Sequence, residues 1–356
     1  MNIHIMTPLG YTGYGYAGKN ILLALNALDH TVGLTMIGQP HIESETEANL
    51  IRRSIDSADT LPYDTPCLKI WHQFDLLNRV GSGKYCALPF FESDKLTQKE
   101  KHHLNFADHI IVSSSWAKEV LTQNEITKPV TVVPLGVNRD IFNDTNNHTN
   151  KTPNYVFIVI GKWEIRKGHD IAIQCFNKAF TSKDNVELWL VTHNPFLSDT
   201  EEKQWINLVE QSPLRNKIRM FPRLNTHQEL ASLISYAHCG VYVSRAEGWN
   251  MELLETMSMN KPVIATNYSA HTEYCNMENT YLVDIEKTEP AIDNKWFFGT
   301  SNWANLGPQQ CDQIVGHMRH LYENRIETNP AGVVTAQTLS WENTASSIAR
   351  CISSIS

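Results

Sequence analysis

Two glutamates eight residues apart, Glu247 and Glu255, lie in the stretch SRAEGWNMELLETMSMNKPVIAT. Glu247 follows a predicted strand, and a helix is predicted to begin near Asn250, a residue type that caps helix N-termini well. The free backbone amides at a helix start attract an anion such as phosphate. A carboxylate beside bound phosphate would repel it, so both glutamates are better suited to bind hydroxyl groups. The segment therefore suits a ribose–diphosphate–sugar ligand.

A second candidate is the segment GKWEIRKGHDIAI, which begins where a predicted strand at 155–161 ends. It places Lys162, Arg166 and Lys167 at the carboxyl edge of that strand, where open α/β sheets bind ligands. Lysine is a compact cation suited to phosphate oxygens. Charged clusters are equally common on solvated surface loops, so the residues alone leave both interpretations open.

The loop GYTGYGYAGKNILLAL contains Gly13-x-Gly15-x-x-Gly18, the spacing of a dinucleotide-binding turn. Two features disfavour a dinucleotide. The loop from Thr7 is longer than that tight turn, and the next predicted strand ends without an acidic residue that would bind a ribose hydroxyl. A flexible surface loop is one alternative, but a cradle of backbone amides for phosphate at a helix start fits best.

Short apolar runs alternate with segments of helical spacing along the chain, which predicts buried parallel strands and doubly wound α/β domains. The polar, Asn-rich segment 138–153 interrupts this pattern and predicts a domain boundary. The final segment SWENTASSIARCISS is predicted to form an amphipathic helix capped by Ser340. The predicted strands lie at 2–6, 32–38, 67–71, 85–90, 109–114, 131–135, 155–161, 186–192, 218–222, 239–244 and 262–266.

Composition narrows the class of protein. A chain of 356 residues exceeds what one hydrophobic core usually organises, so we expect two domains. The net charge of -8 argues against broad nucleic-acid binding, and no apolar stretch is long enough to span a bilayer. The seven cysteines are scattered without a C-x-x-C pair, and the start MNIHIMTPLG has no signal-peptide pattern. We therefore expect a cytoplasmic protein without a zinc site or a disulfide framework.

The segment with the two glutamates resembles the E-x7-E signature of retaining GT-B glycosyltransferases, in particular family 4. GKWEIRKG is similar to that family's GR-x-x-x-x-KG, and ADHIIVSSSWAKEVL, VTVVPLGVNRDIF and SWENTA are similar to further motifs in the same order. The resemblance implies a GT-B architecture, with two Rossmann-like doubly wound domains facing a cleft. The implied parts are an N-terminal acceptor-side domain at 1–145, a C-terminal nucleotide-sugar-binding domain at 146–338, and a C-terminal helix at 339–356 that returns to the N-terminal domain.

The resemblance also implies roles for individual residues. Glu247 and His72 become the candidate catalytic residues, with an ordinary loop or core histidine as the alternative for His72, and Glu255 would bind the nucleotide ribose. The sequence departs from the family pattern where Asn250 and Glu252 replace the Gly and Pro of EGFGxP, where Lys162 replaces Arg, and where ATNYSAHTE replaces GG-x-x-E. The other implied donor contacts are Lys162, Lys167, Gly13 and Gly15 at the diphosphate and the backbone amides of Trp249, Asn250 and Met251 at the sugar and phosphate.

These residues predict a hexosyl- or related glycosyltransferase that moves a sugar from a nucleoside diphosphate sugar to an acceptor hydroxyl, with retention of configuration. The donor is a co-substrate, and we expect neither cofactor nor metal, because cations and a helix N-terminus can stabilise the leaving diphosphate. The sequence leaves the acceptor open: it could be a glycan, a lipid-linked molecule or a small molecule. A peripheral membrane contact and the choice between front-face and double-displacement chemistry also stay open. Nucleic acid is not expected as a partner. The alternatives are a GT-B relative such as a nucleotide-sugar epimerase, a catalytically silent nucleotide-sugar-binding protein, and a glycosyltransferase acting on modified nucleic acid.

Overall fold

The computed structural model describes residues 1–145 and 148–355. The chain forms two compact units: Met1–Gly136 together with the residues from Leu339 onward, and Val137–Thr338. The boundary predicted between residues 145 and 146 adjoins residues 146–147, which lie outside the described residues. The observed division comes earlier, because Phe142 is buried and its carbonyl accepts a hydrogen bond of 2.5 Å from the Ser258 hydroxyl of the second unit.

The first unit is built on a parallel sheet covered on both faces. All four residues of the strand at 109–112 are buried, and so are five of the six at 2–7, as expected of such a sheet. The strands are β1 (Asn2–Thr7), β2 (Thr31–Met36), β3 (Cys67–Lys69), β4 (Tyr85–Ala87), β5 (His109–Val112) and β6 (Val130–Val132). Their order is β2-β1-β3-β4-β5-β6. The helices between them are α1 (Gly13–Ala27), α2 (Glu45–Ala58), α3 (Gln98–Leu104) and α4 (Ser115–Gln123).

The second unit repeats this architecture with a second parallel sheet. Its strands are β7 (Tyr155–Ile160), β8 (Val186–Val191), β9 (Ile218–Phe221), β10 (Cys239–Tyr242), β11 (Val263–Thr266) and β12 (Tyr281–Val283). Its helices are α5 (His169–Ala179), α6 (Asp199–Glu210), α7 (His227–Tyr236), α8 (Met251–Ser258), α9 (Pro308–Glu323) and α10 (Pro330–Thr338). The order β12-β11-β10-β7-β8-β9 reverses direction between β7 and β10. In open α/β sheets ligands bind at such a reversal, outside the carboxyl ends of the strands.

An antiparallel hairpin that the sequence patterns did not predict is added to the second unit. It consists of β13 (Thr288–Ile292) and β14 (Phe298–Ala304). The hairpin packs on the loop after β10: Ala291 and Trp303 form a buried cluster with Ala246, and the Ala304 amide donates to the Arg245 carbonyl at 2.9 Å. The hairpin therefore supports the loop that carries Glu247.

The last helix, α11 (Trp341–Ile355), belongs to the first unit. The Ser340 hydroxyl accepts a hydrogen bond of 3.1 Å from the Asn343 amide, which confirms the predicted helix and its cap. The Thr344 hydroxyl donates to the Pro134 carbonyl at 2.8 Å, and the Trp341 ring meets Tyr16 of α1 edge to face. Within the described ranges, no helix is both long enough and apolar enough to cross a membrane.

Candidate active site

The loops after β7 and β10 approach each other where the strand order of the second unit reverses. Gly168 has a φ of +73°, and a Cβ there would lie 2.0 Å from the Val243 carbonyl oxygen, so only glycine permits this approach. The Arg245 amide also donates to the Arg166 carbonyl at 2.7 Å. The first loop carries the predicted cations and the second carries Glu247, so the fold brings the two strongest motifs of the sequence together.

Glu247 is the centre of a buried polar cluster. Its side chain is only 4% exposed, and both carboxylate oxygens are occupied. Oε2 pairs with Nη1 of Arg166 at 2.8 Å, while Oε1 accepts from the Ser244 hydroxyl at 2.7 Å and pairs with Nζ of Lys167 at 3.0 Å. The cluster fixes the carboxylate in one orientation in the loop after β10.

The charges of this cluster set its protonation state. Burial alone would raise the pKa of Glu247, but the positive charges of Lys167 and Arg166 outweigh it and hold that pKa far below its usual range. Burial alone would lower the pKa of Lys167, but Glu247 and Glu252 raise it above its usual value. Glu247 is therefore an anion and Lys167 a cation throughout the physiological range.

Glu164 extends the cluster towards solvent. It pairs with Nη2 of Arg166 and with Nζ of Lys162, both at 2.7 Å. The Lys162 side chain is 36% exposed, whereas that of Lys167 is 9% exposed. His169 donates from Nε2 to the Lys162 carbonyl at 2.7 Å and so anchors the backbone of the more exposed of the two lysines. An anion approaching from solvent can thus reach Lys162 first and Lys167 behind it.

Helix α8 starts directly after this cluster, as the sequence predicted. Asn250 caps it, its side-chain oxygen accepting from the Leu253 amide at 3.3 Å. The Tyr274 hydroxyl lies 2.9 Å from the carbonyl oxygens of both Trp249 and Asn250. Trp249 is buried, and within the part of the chain that the structure describes its indole N–H has no acceptor. A buried donor left without an acceptor costs about 1–3 kcal/mol, which a bound ligand or water would recover.

The two predicted glutamates lie on opposite sides of the helix start. Glu247 precedes the first turn of α8, and Glu255 is buried within the helix. Met251 is the first residue of α8, so its amide is among the groups that a helix leaves free. Within residues 1–145 and 148–355, no group of three or more His, Cys, Asp or Glu side chains could hold a metal ion.

The remaining candidates, Gly13, Gly15 and His72, lie together in the first unit. Gly13 begins α1, and a Cβ on Gly15 would come within 2.2 Å of the Gly10 carbonyl oxygen, so the loop must fold tightly there. Tyr14, between the two glycines, has its ring 4.5 Å from that of His72. The His72 ring also stacks on Phe74 at 4.9 Å and an angle of 11°. The structure thus places the glycine loop beside the histidine predicted to be catalytic.

Several residues of the cluster were not assigned by sequence reasoning. Arg166 was noted as a charge but given no role, although it makes the shortest contact between a cation and Glu247. Sequence spacing does not report which charges become buried, so its pairing was not predictable. Glu164, Ser244 and Glu252 were not assigned either, and neither was Ser269, whose hydroxyl accepts from the Glu247 amide at 2.8 Å. The neighbouring His271 and Tyr274, which contact Asn250, were also unassigned.

Three buried histidines are expected to reduce stability in mild acid. Burial lowers the pKa of His169 and His271 from 6.5 to about 4 and that of His238 to about 3. Between pH 6.5 and pH 4 the unfolded chain therefore binds protons that the folded chain does not, and the free energy of unfolding falls as the pH falls. At pH 5 each histidine should cost on the order of 1–2 kcal/mol, measurable by urea denaturation at pH 7 and pH 5.

A variant isolates this effect. His238→Leu removes one of the three groups, so its stability should change less between pH 7 and pH 5, whatever its stability at pH 7. His320→Leu, on an exposed face of α9, should keep the full decrease. An equal decrease in both variants would show that other groups cause the loss in acid.

Comparisons with known proteins agree with the fold. Residues 140–294 match the family model described as Glycosyl transferases group 1, and this range contains the cation loop, Glu247 and Glu255. A probable sucrose-phosphate synthase of Thermosipho melanesiensis is 27% identical over 187 residues, covering 49% of this chain and 43% of that relative. The match thus spans less than half the length of the relative.

Solved structures resemble nearly the whole chain. Sucrose-phosphate synthase from Thermosynechococcus elongatus superposes with a TM-score of 0.74 at 15% identity, over 99% of this chain and 98% of that one. HepE from Anabaena, solved in complex with UDP and glucose, gives a TM-score of 0.72 at 15% identity, over 99% and 100%. These likenesses confirm the predicted fold class, two Rossmann-like α/β domains of the GT-B type, and the family match supports the predicted enzyme class, a glycosyltransferase.

Proposed function

We propose that this chain is a retaining, metal-independent glycosyltransferase, of the kind grouped in family 4, which transfers a hexose from a nucleoside diphosphate sugar to an acceptor hydroxyl. The observation that carries the proposal is the cluster at the strand reversal. There Arg166 and Lys167 contact Glu247 and hold its two oxygens in place, Lys162 pairs with the neighbouring Glu164, and α8 starts shortly after Glu247. We further propose a cytoplasmic location, which rests on the scattered, unpaired cysteines.

The donor diphosphate is proposed to bind between Lys162, Lys167 and the first amides of α8. In the structure these two lysines and Arg166 pair with Glu164, Glu247 and Glu252, so three cations face three carboxylates. A diphosphate would take over part of this pairing, since phosphate oxygens accept charge-assisted hydrogen bonds from the same ammonium groups. HepE, which shares the fold, was solved with UDP and with UDP-glucose. A uridine diphosphate sugar is therefore the first donor to test.

In this proposal Glu247 binds the transferred sugar rather than attacking it. Its oxygens are already occupied by Arg166, Lys167 and Ser244, and a carboxylate paired with two cations is a weak nucleophile. This favours a front-face route. The acceptor oxygen forms a bond to the anomeric carbon as the bond to the phosphate oxygen breaks, and the acceptor proton passes to a phosphate oxygen of the leaving nucleoside diphosphate. Lys162 and Lys167 would stabilise the charge that develops on that leaving group.

Nucleotide binding tests the donor site. Calorimetry with UDP, UMP and uridine is expected to show the order UDP, then UMP, then uridine, because each phosphate removed loses contacts to the cations and to α8. If UDP, UMP and uridine bind equally, the proposed diphosphate site is wrong. It is also wrong if none of the three binds and GDP and ADP do not bind either.

Turnover tests the reaction. Incubation with UDP-glucose and an acceptor mixture is expected to release UDP at the same rate with and without EDTA, and the anomeric proton of the product should show the donor's configuration by NMR. Activity lost on chelation and restored by Mg²⁺ or Mn²⁺ would contradict metal independence. If the chain binds UDP-glucose but releases no UDP with any acceptor or with water, it is instead a nucleotide-sugar-binding protein.

A further inference from the structure

Asn250 adopts a backbone conformation that residues other than glycine rarely adopt. Its φ is 76° and its ψ is 77°, in the left-handed region. This region is unfavourable for a residue with a Cβ, and asparagine is among the residues that tolerate it best. Asn250 is the cap of α8, so this conformation decides the direction in which the first amides of the helix point. Contacts within the folded chain must therefore hold Asn250 in this conformation.

The Asn250 side chain is held from both ends. Its oxygen accepts from the Leu253 amide at 3.3 Å, and its Nδ2 lies 2.9 Å from Nε2 of His271. His271 is fully buried, and its Nδ1 lies 3.0 Å from the carbonyl oxygen of Thr266, at the end of β11. An unbroken path of hydrogen bonds therefore runs from β11 through one histidine and one asparagine to the first turn of α8.

The polarity of this path follows from its ends. The Thr266 carbonyl can only accept, so His271 must donate from Nδ1, which leaves Nε2 of the neutral ring as an acceptor. Nδ2 of Asn250 can only donate, and it meets that acceptor. The asparagine oxygen is then free to accept from the Leu253 amide. Burial lowers the pKa of His271 to about 4, so the neutral ring that this path needs is present at neutral pH.

We propose that His271 is a positioning residue that acts through Asn250 to hold the first amides of α8 in the orientation that binds the donor diphosphate. This inference rests on the proposed function, since it assumes that a diphosphate binds at this helix start. The buried indole N–H of Trp249, which has no acceptor within the described residues, is a second sign that a ligand belongs here. His271 would contact no substrate atom; its effect would pass through the conformation of residue 250.

The test compares UDP with uridine, because only UDP uses the helix amides. His271→Leu is expected to lower UDP affinity about fivefold or more in calorimetry and to leave uridine affinity unchanged. His271→Gln can donate to Thr266 and accept from Asn250, so it should recover most of the lost affinity. His320→Leu serves as the exposed control, and thermal melts verify that each variant is folded.

A double variant shows whether the effect passes through Asn250. In Asn250→Gly the left-handed conformation carries no Cβ penalty and His271 has lost its partner, so adding His271→Leu should lower UDP affinity by less than twofold further. The same loss from His271→Leu in both backgrounds, or wild-type affinity in His271→Leu, would overturn the inference. If the wild-type chain binds UDP no better than uridine, the proposed function falls, and this inference with it.

Discussion

Replacing Glu247 with glutamine is expected to slow sugar transfer by about tenfold or more while UDP affinity stays the same or rises. Glutamine keeps the size of the side chain and can still accept from the Ser244 hydroxyl. It removes the negative charge that would stabilise an oxocarbenium-like transition state and weakens the hydrogen bond to the transferred sugar. It also releases Lys167 for the diphosphate. Initial rates of UDP release from UDP-glucose, together with UDP calorimetry, measure both effects.

Glu255→Gln provides the contrast for this prediction. Glu255 is assigned to the ribose, which donor and product share, so its replacement should weaken UDP and UDP-glucose alike. Glu202→Gln, at an exposed position of α6, is the control for removing a carboxylate from this unit. If Glu247→Gln and Glu255→Gln lower UDP affinity equally, or if Glu247→Gln leaves transfer unchanged, the donor lies differently along this motif.

Most of the sheet framework could be predicted from the sequence. Each of the eleven predicted strands corresponds to an observed strand, because parallel strands buried on both faces appear as short continuous apolar runs. β12 and the hairpin of β13 and β14 were missed. The hairpin strands mix polar and apolar residues and contain Pro290 and Gly299, which are unfavourable in strands, so local propensity gave no signal.

Only part of the candidate site could be predicted from the sequence, because some of its contacts depend on strand order rather than on local pattern. The position of Glu247 before a helix and of Lys167 after a strand follows from local pattern, and the strand order brings the two loops together. The pairing of Arg166 with Glu247 depends on β7 and β10 being neighbours, which no local pattern reports. His271 was hidden for the same reason: it lies after β11, and only the folded chain brings it to Asn250. The predicted roles of the site residues remain to be tested.

Replacing Lys167 with methionine is expected to lower UDP affinity by about 1.5–3 kcal/mol, the contribution of a charge-assisted hydrogen bond to phosphate. Lys162→Met should cost less, because Lys162 is more exposed and its charge is better screened by water. Calorimetry with UDP and with uridine measures the loss, which should be confined to UDP. Lys178→Met, at an exposed position of α5, is the matched control and should bind UDP as the wild type does.

The buried position of Lys167 complicates this variant, because the lysine also pairs with the buried Glu247. When Lys167 is removed, the buried Glu247 keeps Arg166 as its one cation contact within 4 Å among the described residues. Lys167→Met should therefore also be less stable to urea than the wild type. The double variant Lys167→Met/Glu247→Gln removes both charges of the pair together. Its stability should return towards that of the wild type, because no charge is left without its partner, whereas its UDP affinity should stay low, because the phosphate contact is still missing. Stability and affinity that recover together would mean that Lys167 only balances Glu247, and that the diphosphate binds elsewhere.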